Sequence, residues 1–173
     1  VMDGFSQILC KRYGQQLDEK GQHYLQRIRA NCQQMGELIN DLLQLSRVIR
    51  SPLNPQTLNL SAIAQEISHE LQESHTDREV NVKIESDLTV KGDKKLLKTV
   101  LENLLHNAWK YTSKNPQASI ELGHYLESDG TPTYFIRDNG AGFNMDSVDK
   151  LFGVFQRLHS EDEFPGHGIG LAT

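Results

Sequence analysis

No stretch of this sequence approaches the roughly 20 consecutive apolar residues that a membrane-spanning helix requires, and no signal-peptide pattern stands at its start. Cysteine is scarce. Cys10 and Cys32 are the only two, and they form neither a CxxC pair nor any metal-type spacing, which excludes a disulfide framework and a thiolate zinc site. An excess of basic charge is also missing. The net charge of −5 leaves no electrostatic footprint for nucleic acid or an anionic membrane. No GxxxxGK[ST] phosphate loop occurs, and there are no internal repeats and no low-complexity tract. What remains is the composition of an ordinary soluble globular protein, 37% hydrophobic and 24% charged over 173 residues. That is enough chain for about one to one and a half domains with a real core. The expected setting is a reducing cytosol with both thiols free, and the opening Val1-Met2-Asp3-Gly4-Phe5 reads as part of something longer.

Residues 18–48 carry a heptad. Leu25, Ile28, Cys32, Met35, Ile39 and Leu42 are spaced alternately three and four apart, and Leu45 extends the series. Polar residues fill most places between them, as along the seam of a coiled coil or helical bundle. Met2, Phe5, Ile8, Leu9 and Tyr13 are helix-spaced as well, Gly14 breaks their pattern, and Asp18 can cap the long helix. The result is an antiparallel helical hairpin with a short first arm, whose long seam needs a second chain. Folding it about residue 15 sets Cys10 and Cys32 about 16 Å apart along the axis, too far for an intrachain disulfide.

Ser51-Pro52 and Asn54-Pro55 end the helix and mark 51–55 as a linker. Mixed α/β patterning follows over 56–173. An amphipathic helix is predicted over 61–74, an alternating strand at Val80–Ile84, a short strand near Leu88–Val90 and a helix over Asp93–Tyr111. A further strand around Ile120 and Leu122 turns at Asp129-Gly130 into Tyr134-Phe135-Ile136. Residues 139–173 are glycine-rich and loop-like.

Four pieces of the second region carry chemistry. On the helix over 93–111, otherwise mostly apolar and therefore expected to be buried, Asn103, Asn107 and Lys110 fall within a stripe about 60° wide. Buried amides and an ammonium need partners. A Mg²⁺ ion with phosphate oxygens supplies them, since an Asn carbonyl is an oxygen ligand and a lysine neutralises phosphate; a solvated polar edge accounts for the same spacing. The second piece is Asp138-Asn139-Gly140-Ala141-Gly142-Phe143. Strand alternation puts Asp138 on the face of Tyr134 and Ile136. There its carboxylate can accept a hydrogen bond from an adenine amino group, while Gly140 and Gly142 admit close approach of backbone. A plain Asx turn is the bland alternative. In the third, Gly166-His167-Gly168-Ile169-Gly170-Leu171, alternate glycines suit a nest of backbone N–H groups around phosphate, with a helix opening behind it. Between these lies Leu151-Phe152-Gly153-Val154-Phe155-Gln156-Arg157. Phe152 and Phe155 can latch a lid and Arg157 can reach a phosphate; a short amphipathic helix explains the spacing nearly as well.

Taken in this order, the four pieces resemble the N, G1, F and G2 boxes of sensor histidine kinases, and residues 4–50 resemble the dimerisation hairpin that follows the phosphoacceptor. The wording of LFGVFQRLHSEDEFPG is similar to that of cyanobacterial phytochromes and related sensor kinases. The resemblance implies an α+β chain: a helical hairpin (1–50) that forms a dimeric four-helix bundle, then a linker, then an α/β sandwich ATP-binding domain of the gyrase type (56–173). It implies a homodimer that binds ATP and Mg²⁺, transfers the γ-phosphoryl group to a histidine, and relays it to a response-regulator aspartate. Asn107 would hold Mg²⁺, and Asn103, Asn107 and Lys110 would act in the phosphoryl transfer. Asn103, Lys110 and Tyr111 would lie at the phosphates and nucleotide, Asp138 at adenine, Gly140 and Gly142 in the loop after it, and Gly166, Gly168, Gly170 and Leu171 beside the lid.

Two departures accompany the resemblance. The H-[DE]-L-R-x-P-L phosphoacceptor motif is absent, and none of His23, His69, His75, His106, His124, His159 and His167 stands in its context. Each is expected to be an ordinary surface or satisfied residue. The family also continues past the equivalent of Thr173 with a helix and a strand, whose loss would expose apolar surface. These 173 residues are therefore expected to bind ATP without labelling themselves. A non-enzymatic nucleotide-binding dimer module, using ATP only to set conformation, is the reading that competes with a kinase core.

Overall fold

The computed structural model describes residues 2–50, 53–153, 156–160, 163, 164, 166 and 168–172, without the side chains of 2, 3, 34, 37, 38 and 40–50. It divides into two compact units, Val1–Arg50 and Ser51–Thr173.

The first unit is the expected hairpin. Helix α1 (Met2–Tyr13) leads through a 3₁₀ turn (Gly14–Gln16) to helix α2 (Glu19–Arg50). At 1.5 Å per residue α2 is about 48 Å long. Asp18 begins it as predicted, its Oδ1 accepting the Gly21 N–H at 2.8 Å. The Gln22 amide closes the turn by donating to the carbonyls of Gly14 (2.9 Å) and Leu17 (3.2 Å). Leu25 and Ser6 are buried, whereas Phe5, Ile8, Tyr24, Ile28, Met35 and Ile39 are exposed. The side chains of Leu42 and Leu45, the last two seam positions, lie outside the described residues. Both cysteines are free thiols.

The second unit begins with a strand that the pattern did not announce. β1 (Pro55–Asn59) starts at the last residue assigned to the linker and pairs antiparallel with β3 (Thr89–Asp93). Asn59 then caps helix α3 (Leu60–Ser74), accepting from the Ala62 N–H. Strand β2 (Asn81–Ile84) runs parallel to β4 (Ser119–Leu126), and β4 is antiparallel to β5 (Pro132–Asp138), giving a mixed sheet in the order β2-β4-β5. Helix α4 (Lys94–Tyr111) is capped by Asp93, whose Oδ1 accepts from Lys95 N and Leu96 N while Oδ2 takes the Asn54 N–H. These N–H groups, that of Asn54 first, hold the Asp93 carboxyl below its ordinary range.

Helices α3 and α4 cover one face of the sheet. Ile63, Ala64, Ile67 and Leu71 from α3, Leu101, Leu105, Ala108 and Trp109 from α4, and Ile120 and Leu122 from β4 share one core. Burying each large aliphatic contributes about 1.5–3 kcal/mol. Within this core Ser61 Oγ donates to Glu85 O (2.6 Å) and accepts from Leu88 N (3.0 Å), while the buried Trp109 indole N–H has no partner among the described residues. On the opposite face an ion ladder crosses the three strands, with Glu121 between Lys83 (2.9 Å) and Arg137 (3.6 Å). Exposed pairs of this kind stabilise by no more than about 1 kcal/mol, so the helix-covered face carries the fold. Among the described residues, no helix is long and apolar enough to cross a membrane.

Candidate functional site

The geometry of the site follows from α4. Its core face is Leu101, Leu105, Ala108 and Trp109. Asn103, Asn107 and Lys110 stand on another edge, and there the structure corrects the expectation of full burial: all three are half-buried, because α4 buries one face rather than its whole circumference. The end of the helix is fixed from two sides. Thr112, fully buried, donates its hydroxyl to the carbonyls of Ala108 (2.8 Å) and Trp109 (3.0 Å). Arg78 lies 5.2 Å from the Trp109 ring centroid and donates to the Trp109 carbonyl. The turn bearing Lys110 and Tyr111 is thus held by its neighbours.

The glycine loop after β5 meets α4 at this end. Ala141 N donates to Tyr111 O at 3.1 Å. A Cβ on Gly140 would stand 2.5 Å from that same carbonyl, so no larger residue fits there without moving backbone. Asp138 ends β5 on the face of Tyr134 and Ile136, as alternation predicted, with its side chain exposed. Its Oδ1 accepts from Gly140 N at 2.9 Å. The Asx turn and an open carboxylate oxygen therefore coexist, since Oδ2 has no partner among the described residues. Asn139, to which the sequence reading gave no role, is fully used. It accepts from Ser119 N (2.8 Å) through Oδ1, donates to Gln117 O (2.8 Å), and its carbonyl takes the Asn115 amide (2.9 Å).

The last glycine segment reaches the α4 edge as well. A Cβ on Gly170 would lie 3.4 Å from Asn103 Oδ1, and one on Gly166 would lie 3.2 Å from Lys110 Nζ. Gly168, at φ +70°, would drive a Cβ to 2.4 Å from Gln156 O. The helix expected to open here is only a 3₁₀ turn (Gly170–Ala172), with Leu171 half-buried inside it.

The Phe152 segment is the part not gathered in. Phe152 is 70% exposed and stands away from the core of the described residues, and Phe155 lies outside the described residues. The helix that served as the bland alternative does not form among the described residues of 151–157. Arg157 Nη2 donates to Phe164 O at 2.7 Å.

Two rings overlooked in the sequence complete the site. Tyr111 packs against His159 (centroids 5.3 Å apart) and Phe164 (5.1 Å), with Lys110 Nζ 4.4 Å from its own centroid. His159, expected from the sequence to be an ordinary surface or satisfied histidine, thus stands at the site. No spacing signal marks either residue, because their contact with Tyr111 depends on a long loop returning to α4. Hydrogen bonds from the Ser160 N–H and hydroxyl hold Glu163 below the ordinary carboxylate range, and Lys114 and His159 add to this. A separate cleft of about 630 Å³ opens between the approaches to β2 and β4, lined by Arg78, Glu79, Asn81 and Gln117 among others, and contains none of the predicted site residues.

The donors assembled here suit a nucleotide: amide oxygens and an ammonium on one helix edge, two glycine loops that admit close approach, and an open carboxylate. Among the described residues no three His, Cys, Asp or Glu side chains gather as a metal site.

Comparison with known proteins points the same way. Residues 92–173 match the family model "Histidine kinase-, DNA gyrase B-, and HSP90-like ATPase", and residues 1–51 match "His Kinase A (phospho-acceptor) domain". The chain is 32% identical over 169 residues to cyanobacterial phytochrome B of Nostoc sp., covering 96% of this chain and 22% of that protein. It is 34% identical over 139 residues to the methanogenesis regulatory histidine kinase FilI of Methanothrix harundinacea, covering 80% and 15%. The chain thus spans about a fifth or less of these relatives. Among solved structures, full-length ShkA in complex with AMPPNP matches with a TM-score of 0.64 at 20% identity, over 99% of this chain and 35% of that one. A mycobacterial sensor histidine kinase, MprB, matches with a TM-score of 0.55 at 24% identity, over 69% and 74%.

Proposed function

The chain belongs to the sensor histidine kinases, and on that premise we propose that it is the kinase core of a two-component system, binding Mg-ATP for transfer of the γ-phosphoryl group to a histidine of the whole protein and onward to a response-regulator aspartate. One observation carries the reading. The edge of α4 opposite the core meets both glycine loops within one site, with Gly170 at Asn103, Gly166 at Lys110 and Gly140 at Tyr111. The solved complex of a relative with AMPPNP supports a nucleotide as the ligand.

In this reading Asp138 takes the adenine amino group on its open Oδ2, while the Gly140 N–H keeps Oδ1 in place. Lys110 offsets phosphate charge. Asn107 would hold Mg²⁺ through its amide oxygen, and Asn103, one turn earlier, would face the phosphates beside Gly170. ATP would supply the phosphoryl group, and a Mg²⁺ held by Asn107 would supply neutralisation of phosphate charge. The protein's part is positioning and charge neutralisation, as is general for phosphoryl transfer. The exposed apolar residues of α1 and α2 support a homodimer through a four-helix bundle.

The test uses the full-length protein with γ-labelled ATP and Mg²⁺. Label is expected in a bond labile to acid and stable to base, as for a phosphoramidate, and Asn107→Ala should abolish it. A protein that binds ATP yet takes no label under any input would contradict the kinase reading and leave a non-enzymatic nucleotide switch.

A further inference from the structure

His159 touches two separate parts of the nucleotide site at once. Its Nε2 lies 2.8 Å from the carbonyl oxygen of Gly142, in the glycine loop after β5. Its ring lies 5.3 Å, centroid to centroid, from Tyr111 at the end of α4. A carbonyl only accepts, so Nε2 carries the proton in this contact. Both the neutral ring protonated at Nε2 and the imidazolium preserve it, so the contact does not depend on charge.

The surroundings hold the imidazole in this orientation. Phe164, 3% exposed, packs edge-on against both His159 and Tyr111 at 5.1 Å each. Lys114 Nζ sits 4.7 Å from the Phe164 ring centroid. Arg157 fixes the Phe164 carbonyl, and Glu163, held by Ser160, stands 4.0 Å from His159 Nδ1. Gly142 has φ +62°, a conformation that side-chain-bearing residues rarely adopt, and its carbonyl takes the His159 N–H.

We infer that His159 is a positioning residue for nucleotide binding: it fixes the Gly142 turn relative to the Tyr111 ring, so that the Asp138 loop and the α4 edge present one preformed surface to the ligand. The inference rests on the nucleotide reading above. Its consequence is specific. Loss of the tie leaves each half of the site intact and the loop still joined to α4 through the Ala141 N–H on the Tyr111 carbonyl, but releases the Gly142 turn beyond it, so binding weakens while the reaction of bound nucleotide does not change.

The experiment measures affinity for a fluorescent ATP analogue, with ATP as competitor, and the ATP dependence of labelling in the full-length protein. His159→Ala should weaken affinity roughly tenfold, the scale of one lost hydrogen bond with its ring contacts. KM for ATP should rise in proportion, and the labelling rate at saturating ATP should stay within about twofold. His159→Gln, which restores an N–H donor without the ring, should recover most of the affinity. His159→Phe, which restores the ring without the donor, should recover less. Unchanged affinity in His159→Ala would overturn the inference. So would recovery by Phe but not by Gln, which would make the residue simple packing. If His159→Ala melts early, the Gln and Phe variants still decide between these outcomes. Absence of competable binding by the wild-type protein would instead overturn the nucleotide reading itself.

Discussion

The two units of this chain solve the problem of apolar surface in opposite ways. The second folds its apolar residues inward: Ile67, Leu105, Ile120 and Leu122 are each no more than 2% exposed, and two helices and a sheet share them. The first buries Leu25 but leaves much of its apolar surface outside, with Phe5 at 65%, Met35 at 54% and Ile39 at 55% exposed. A hairpin of two helices has one interface, and a heptad seam on a helix of about 48 Å extends beyond what a 12-residue first arm can cover. The difference teaches that the second unit buries its apolar residues within itself, whereas the first leaves a surface suited to the second chain that the proposed homodimer would supply. In the proposed function the nucleotide chemistry belongs to the second unit and assembly to the first.

The sharpest way to break this comparison is at the seam. Ile28→Glu with Ile39→Glu should convert a dimer into monomers by light scattering while leaving the melting transition of the second unit in place. A wild-type chain that is monomeric at concentrations on the order of tens of micromolar would contradict it. In the other unit, Leu105→Ala should cost about 2–5 kcal/mol by chemical denaturation, through lost burial and the cavity left behind, with no change in association state. Asp138→Ala removes a charge-assisted hydrogen bond to the ligand, so calorimetry should find ATP weakened by about 1.5–3 kcal/mol, roughly tenfold to a hundredfold, with both units still folded.

The smallest expected effect concerns acid. Glu85, Asp93, Glu121, Asp129 and Glu163, all in the second unit, are held below the ordinary carboxylate range, Asp93 chiefly by the Asn54 N–H and Glu85 by His124. A lowered folded value means stability that is fully present above the ordinary carboxylate values of about 4 and is lost as pH falls through the lowered ones. Melting of the second unit should therefore fall below about pH 4, and Asp93→Asn should flatten that decline chiefly by lowering the neutral plateau, leaving the acid end nearly where it was.

Where side chains alternate or recur, the fold could be read in advance. Helix α4, the α2 seam with its Asp18 cap and the Asp129-Gly130 hairpin all announce themselves by period or turn chemistry, whereas the Asp93 cap of α4 emerges only in the structure. Strand β1 is not announced either. In Pro55-Gln56-Thr57-Leu58-Asn59 only Leu58 is even half-buried, so backbone pairing with β3 makes the strand and no hydrophobic pattern betrays it. The parallel pairing of β2 with β4 is likewise a matter of long-range packing. In the site, the α4 stripe and the two glycine loops were visible as spacings. His159 and Phe164 were not, because a loop brings them to Tyr111 from some 50 residues away. Phe152, singled out for its spacing, is exposed instead.

The account stands most directly on the α4 edge as a site for nucleotide and cation together. The measurement is ATP affinity with and without Mg²⁺ for the wild-type protein and for Asn107→Ala, alongside a melting curve for each. The account predicts that Mg²⁺ tightens ATP binding to the wild type, that Asn107→Ala loses this gain, and that both melt alike. A variant that keeps the full Mg²⁺ response, with its fold intact, would contradict it.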